Sequence, residues 1–269
     1  MMKKPSEEAR RRYAEYIKDY KNAIDAALDK EKKLKEQIGG GMEGASFKRL
    51  ELADDNLNLV AQYLMMNSLS MSFLGVKNEQ YLNEGRKCIY KALIYLEEIV
   101  SSLADAPFAD YQEGLETIAS FSDEQRYNLV RKLGFTIDSV VDAYGENTKW
   151  KWSFAELEGR FAVVTKNLIN LKTFVAGMDP RVEGFSARMA HLGLARELLQ
   201  QAADRYREKY ELSTRRIDDI KAGINFLAAL RRLHVVLGES ELADVVKKKV
   251  EIWRTKMEND LKNNDTTKN

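Results

Sequence analysis

Eight apolar residues, Trp150, Phe154, Leu157, Phe161, Val164, Leu168, Leu171 and Val175, follow one another at spacings of 4, 3, 4, 3, 4, 3 and 4. That rhythm puts every member on one side of an α-helix but scatters them over both faces of a strand, so only a helix can bury the whole stripe. A second series, Tyr13, Ile17, Tyr20, Ile24, Ala27, Leu34 and Ile38, keeps the same spacing and is interrupted only by Glu31. Apolar spacing of three and four recurs through nearly all of the chain. Only three prolines occur in 269 residues, Pro5, Pro107 and Pro180, where an average chain would carry about thirteen. Sheet proteins with many turns are thereby excluded, and the expected fold is all-α.

Start and stop signals divide the pattern into about nine mostly long helices. The first is expected over residues 6–38, ending at Gly39, Gly40 and Gly41, and the second over 46–74 with Gly75 as its C-cap. A third begins after Asn78, carries Leu82, Cys88, Ile89, Leu93, Leu96 and Val100, and is stopped by Pro107. A short helix over 111–119 precedes one over 122–144, opened by Ser122 with Gln125 at capping-box spacing and closed by Gly145. The unbroken heptad series is read as one helix over 148–176, and further helices are expected over 181–210, 213–237 and 240–261, with Gly238 and Ser240 marking the last turn. Short connections imply antiparallel neighbours, in an elongated bundle or an array of helical hairpins. The expected division is an N-terminal helix and Gly-rich loop over 1–41, able to act as an arm, a helical body over 42–262 and a polar disordered tail over 263–269.

Charge excludes little by itself: 43 Lys and Arg against 42 Asp and Glu give a formal net charge of +1, with no overall field for nucleic acid or an anionic membrane. Residues 56–76 are uncharged over a length that could span a bilayer. Seven of them are polar, however (Asn56, Asn58, Gln62, Asn67, Ser68, Ser70 and Ser72), which fits a helix buried by its neighbours better. No secretory signal is visible in the first thirty residues, and the single cysteine, Cys88, forms no intramolecular disulfide, so the cytoplasm is the expected compartment.

Motifs for chemistry are sparse. Gly39, Gly41 and Gly44 satisfy GxGxxG, but a helix precedes them where a phosphate-binding loop needs a strand. Neither His191 nor His234 has a Glu three residues before it, so the Glu-x-x-His pairs of di-metal bundles are missing. His234 is read as a capping histidine near a helix end and Cys88 as a packed thiol. Asp54, Asp55 and Asn58 resemble the aspartate-rich signature of all-helical isoprenoid synthases, which would imply magnesium and a diphosphate. The second motif needed across such a cavity is absent, since Asp218 and Asp219 lead to Ala222, and a solvated acidic turn is the reading taken. No catalytic residue, cofactor or metal ligand is assigned.

The expectation for function is a non-catalytic adaptor or scaffold acting through protein–protein interaction, with nucleic acid and membrane not expected as partners. One alternative is a structural subunit that self-associates through the stripe Tyr13, Ile17, Tyr20 and Ile24. Another is a small-ligand bundle or enzyme with a groove or cavity at Tyr63, Met65, Met66 and Leu69 on the uncharged helix, which is expected to be the centre of the bundle. Trp152, pointing away from the seam that Trp150 continues, and Lys247, Lys248 and Lys249 complete the candidate partner-binding residues. Residues 101–125 carry six acids and no Lys or Arg, which suggests electrostatic pairing with a partner or another copy.

Overall fold

The computed structural model describes residues 5–40, 44–145 and 148–266, and among these every regular element is helical. In chain order the α-helices are α1 (Glu7–Gly39), α2 (Ala45–Leu74), α3 (Glu79–Val100), α4 (Gln112–Thr117), α5 (Asp123–Tyr144), α6 (Lys151–Asn167), α7 (Leu171–Ala176), α8 (Phe185–Lys209), α9 (Ile217–Val236) and α10 (Ser240–Thr266). The all-α expectation holds, with ten α-helices among the described residues where about nine were expected. The glycine triplet falls partly outside the described residues, which exclude Gly41, Met42 and Glu43.

Local chemistry accounts for most boundaries. The Ser6 hydroxyl accepts a hydrogen bond from the Ala9 amide at 3.1 Å and opens α1. At α5 the reciprocal capping box forms: the Ser122 amide donates to Gln125 Oε1 at 2.8 Å, and the Gln125 amide donates to Ser122 Oγ at 3.2 Å. Gly75 closes α2 with φ +66°, a left-handed conformation that a Cβ would oppose. The polar residues of the uncharged stretch are put to use at that turn. Asn67 Oδ1 accepts from the Asn78 amide at 2.8 Å and Ser70 Oγ donates to the Val76 carbonyl at 2.7 Å. No helix of the described residues is long and apolar enough to cross a membrane.

The chain divides into two compact units. The first comprises the described residues of Met1–Ile99, Glu116–Ser120 and Asn128–Lys149. In it α1 packs along α2, and the core is built from Leu52, Ala53, Val60, Leu82, Ile89, Leu93, Leu96, Leu133 and Val140. Glu31 takes the seam position of α1 between Ala27 and Leu34, and it is buried. Its Oε1 accepts from Tyr95 Oη at 2.7 Å, and its oxygens meet Lys91 Nζ at 2.9 Å and Lys35 Nζ at 3.0 Å. Burial raises the Glu31 pKa, but the Tyr95, Lys91 and Lys35 hydrogen bonds outweigh it and hold the carboxyl below its usual range.

The second unit comprises the described residues of Val100–Leu115, Phe121–Tyr127 and Trp150–Asn269. Helix α6 is enclosed nearly all round, with Phe154, Ala155, Leu157, Phe161, Ala162, Val163, Val164, Thr165, Lys166 and Asn167 all buried. Backbones approach closely here. A Cβ on Gly223 of α9 would sit 3.0 Å from the Ala203 carbonyl oxygen and 3.1 Å from the Trp253 ring. The single helix expected over 148–176 is broken. α6 ends at Asn167, and Asn170 opens α7 by accepting from the Lys172 and Thr173 amides at 3.1 and 3.4 Å. The restart changes the register, so Phe174 is 3% exposed while Val175, the last member of the sequence seam, is 53% exposed.

Candidate functional site

The N-terminal stripe is used inside the first unit. Ile17 and Ile24 are buried, Tyr20 is half-buried and the Tyr13 hydroxyl lies 3.1 Å from that of Tyr81. This corrects the reading of Ile17 and Ile24 as a free pairing surface, since both are spent inside the unit, while Tyr13 and Tyr20 stay partly exposed. The proposed groove residues do not converge either. Met66 is 1% exposed and belongs to the core, whereas Met65 points outward and Tyr63 and Leu69 are half-buried. Residues 65 and 66 lie about 100° apart on a helix and cannot line one wall.

The acidic pair is engaged by lysines, Asp54 by Lys132 at 2.5 Å and Asp55 by Lys30 at 2.7 Å. Cys88 is buried, and burial pushes its thiol up to about 12, leaving no thiolate to react. His191 Nε2 lies 2.8 Å from the Thr165 carbonyl and therefore carries the proton. Burial pushes its pKa down to about 4, so the ring is neutral. His234 is buried at the end of α9, where its Nδ1 meets Glu239 Oε2 at 2.7 Å. Arg196 Nη2 holds both oxygens of Glu239 at 2.6 Å. These three side chains tie the α9–α10 turn to α8.

Part of the acidic segment is also satisfied within the chain: Asp123 pairs with Arg188 at 2.9 Å and Asp105 with Arg232 at 2.8 Å. Asp105 lies on a loop gripped by the last turn of α6. Asn167 Nδ2 donates to the Ser101 carbonyl at 3.0 Å and the Leu103 carbonyl at 3.4 Å, and Lys166 Nζ donates to the carbonyls of Ala104 at 3.0 Å and Ala106 at 3.3 Å. The loop opens at Ser101 with φ 145°, a conformation that a side chain disfavours and that these bonds hold in place. Burial lowers the Lys166 pKa to about 8, with Asp105 opposing and Arg232 reinforcing that shift.

This loop borders a cleft of about 400 Å³ between α9 and α10. On α9, Ala228, Arg231, Arg232 and Val235 recur at helical spacing along one wall; on α10, Lys247, Val250, Glu251 and Arg254 do so along the other, and Asp105 closes the lining. Ala228, Val235 and Val250 are short, so the wall stays hollow instead of being filled by side chains. Of the expected cluster Lys247–Lys249, Lys247 lines this cleft. Lys249 turns away to pair with Asp204 at 2.9 Å and lies 5.1 Å from the Trp253 ring centre, and Lys248 is exposed.

On the opposite flank of α10, Leu242, Val245 and Ile252 are 48%, 64% and 67% exposed. Val245 and Ile252 stand three or four residues from Lys248 and Lys249, and Ile252 four from Lys256, so apolar and cationic groups interleave on one strip. Trp152 is half-buried, with Lys151 Nζ 5.0 Å from its ring centre. Neither the cleft nor this strip was among the sequence-based candidates as a whole. The available signal was the three-and-four spacing of two separate sets on α10, one inward and small, one outward and apolar.

Against known proteins, the model of the TP0443 family matches residues 9–261. A search of curated proteins finds no match. A solved structure from work on the computational design of self-assembling cyclic protein homooligomers is 13% identical, covers 94% of this chain and 99% of its own, and gives a TM-score of 0.28.

Proposed function

The chain belongs to the TP0443 family, and from that premise we propose that the protein is a non-catalytic helical adaptor or scaffold, acting in the cytoplasm through protein–protein interaction. The observation that carries this reading is the outward strip of α10, where Leu242, Val245 and Ile252 expose large apolar side chains among lysines. Such a surface suits the apolar face of a partner helix flanked by acidic residues. The buried, protonated Cys88 thiol, the buried, neutral His191 and the engagement of His234 by Glu239 support a non-catalytic role. One buried free thiol fits a reducing compartment.

Co-purification of the tagged protein from its native cell tests the proposal. A stoichiometric partner is expected, and Val245→Asp with Ile252→Asp is expected to release it while the thermal midpoint stays within a few degrees of the parent, since both positions are exposed. Retention of the partner by the double variant would refute the assignment of the strip.

A further inference from the structure

The cleft between α9 and α10 has a surplus of positive charge without partners. Four of its lining residues are cationic, Arg231, Arg232, Lys247 and Arg254, against Asp105 and Glu251. Arg232 is neutralised by Asp105 at 2.8 Å, whereas Lys247 reaches Glu251 only at 4.0 Å, with both side chains more than half exposed, a pairing of small worth. Arg231 and Arg254 form no hydrogen bond or ion pair among the described residues. Elsewhere in the same unit Arg188, Arg196, Arg205 and Arg207 are all paired with carboxylates. Two guanidinium groups without counter-charge thus line one recess, and each presents a fork of N–H donors matched to a carboxylate or phosphate.

The recess is also preformed. Asp105 is fixed by Arg232, and the loop on either side of it is fixed through the Lys166 bonds to the Ala104 and Ala106 carbonyls, so the loop cannot swing in to fill the space. The volume of about 400 Å³ is that of a small-molecule site, and no aromatic ring lines it for stacking on a nucleobase. We infer that this cleft binds a small dianion, a phosphomonoester or dicarboxylate, with its charged oxygens on Arg231 and Arg254 and its carbon body against Ala228, Val235 and Val250. This site stands apart from the outward strip of α10 and does not depend on it.

Thermal-shift and calorimetric titrations of the full chain with glycerol phosphate, succinate and inorganic phosphate, at ionic strength matched with sodium chloride, test the inference. Saturable binding of glycerol phosphate but not succinate assigns a phosphate ligand; the converse assigns a dicarboxylate. Arg231→Gln and Arg254→Gln should each weaken binding by about tenfold, the scale of one charge-assisted pair. Arg254→Lys, which keeps the charge but loses the fork, should fall in between, and Arg10→Gln on the exposed face of α1 should leave binding unchanged. Both cleft arginines are exposed, so the unliganded variants should melt with the parent. An equal response to sodium chloride alone, equal binding by the Arg231→Gln and Arg254→Gln variants, or binding of polyglutamate with none of the three small anions would overturn it.

Discussion

Two apolar series with the same heptad spacing end up as different structures. In α1, the series with a charged residue in its seam builds one continuous helix of 33 residues, and Glu31 sits in the seam held by Tyr95, Lys91 and Lys35. The flawless series from Trp150 to Val175 is cut into α6 and α7, and its last member is exposed. Periodicity therefore reports which face is buried over a few turns. It does not report whether the helix continues, because continuation depends on what competes for the backbone and side chains at each turn. At Asn170 a side-chain oxygen offers the next amides a cap. Immediately before it, Lys166 and Asn167 are committed to a loop from sixty residues earlier.

The largest effect that would sharpen this contrast is Phe161→Ala. In an all-round-enclosed helix it should cost about 3–5 kcal/mol by chemical denaturation. A cost below about 1 kcal/mol would mean that α6 is not the enclosed helix described here. Next comes acid. His191 is neutral in the fold, with its pKa lowered from 6.5 to about 4, so its contribution is complete above pH 6.5 and is lost as pH falls toward 4, about 3 kcal/mol in all. Glu31, whose folded pKa is also lowered, loses its contribution only below its ordinary value of 4.5. Stability measured against pH should therefore decline first through His191. His191→Gln, which can still donate to the Thr165 carbonyl, should flatten the decline between pH 6.5 and 4.5; an unchanged slope would remove His191 from the account. The smallest effect is Asn170→Ala, expected to cost about 1 kcal/mol through the lost cap. If it instead stabilises the protein and lengthens α6, the break is a local choice of Asn170 alone.

The sequence is most informative where a boundary is set by its own neighbours. Ser6, the Ser122–Gln125 box, Gly75, Gly145 and Gly238 each mark a helix end within a residue or two of the observed one. It is silent where a boundary is imposed from a distance. α3 stops at Val100, well before Pro107: Ser101 leaves the helical region with φ 145°, and the carbonyls that follow are taken by Asn167 and Lys166 from sixty residues away. Similarly, the N-terminal stripe is visible as apolar but not as already covered. The cleft is invisible because Asp105, Arg231 and Arg254 lie on three segments that only packing brings together.

Lys166 and Asn167 grip the loop after α3 by the main-chain oxygens of Ser101, Leu103, Ala104 and Ala106. A peptide carbonyl is the same whichever amino acid supplies it, so the shape of this loop is encoded at Lys166 and Asn167, far along the chain. An exposed position such as Leu103 is thereby released to change without redrawing the path of the backbone, whereas Ala106 is tied to the core and Asp105 to Arg232.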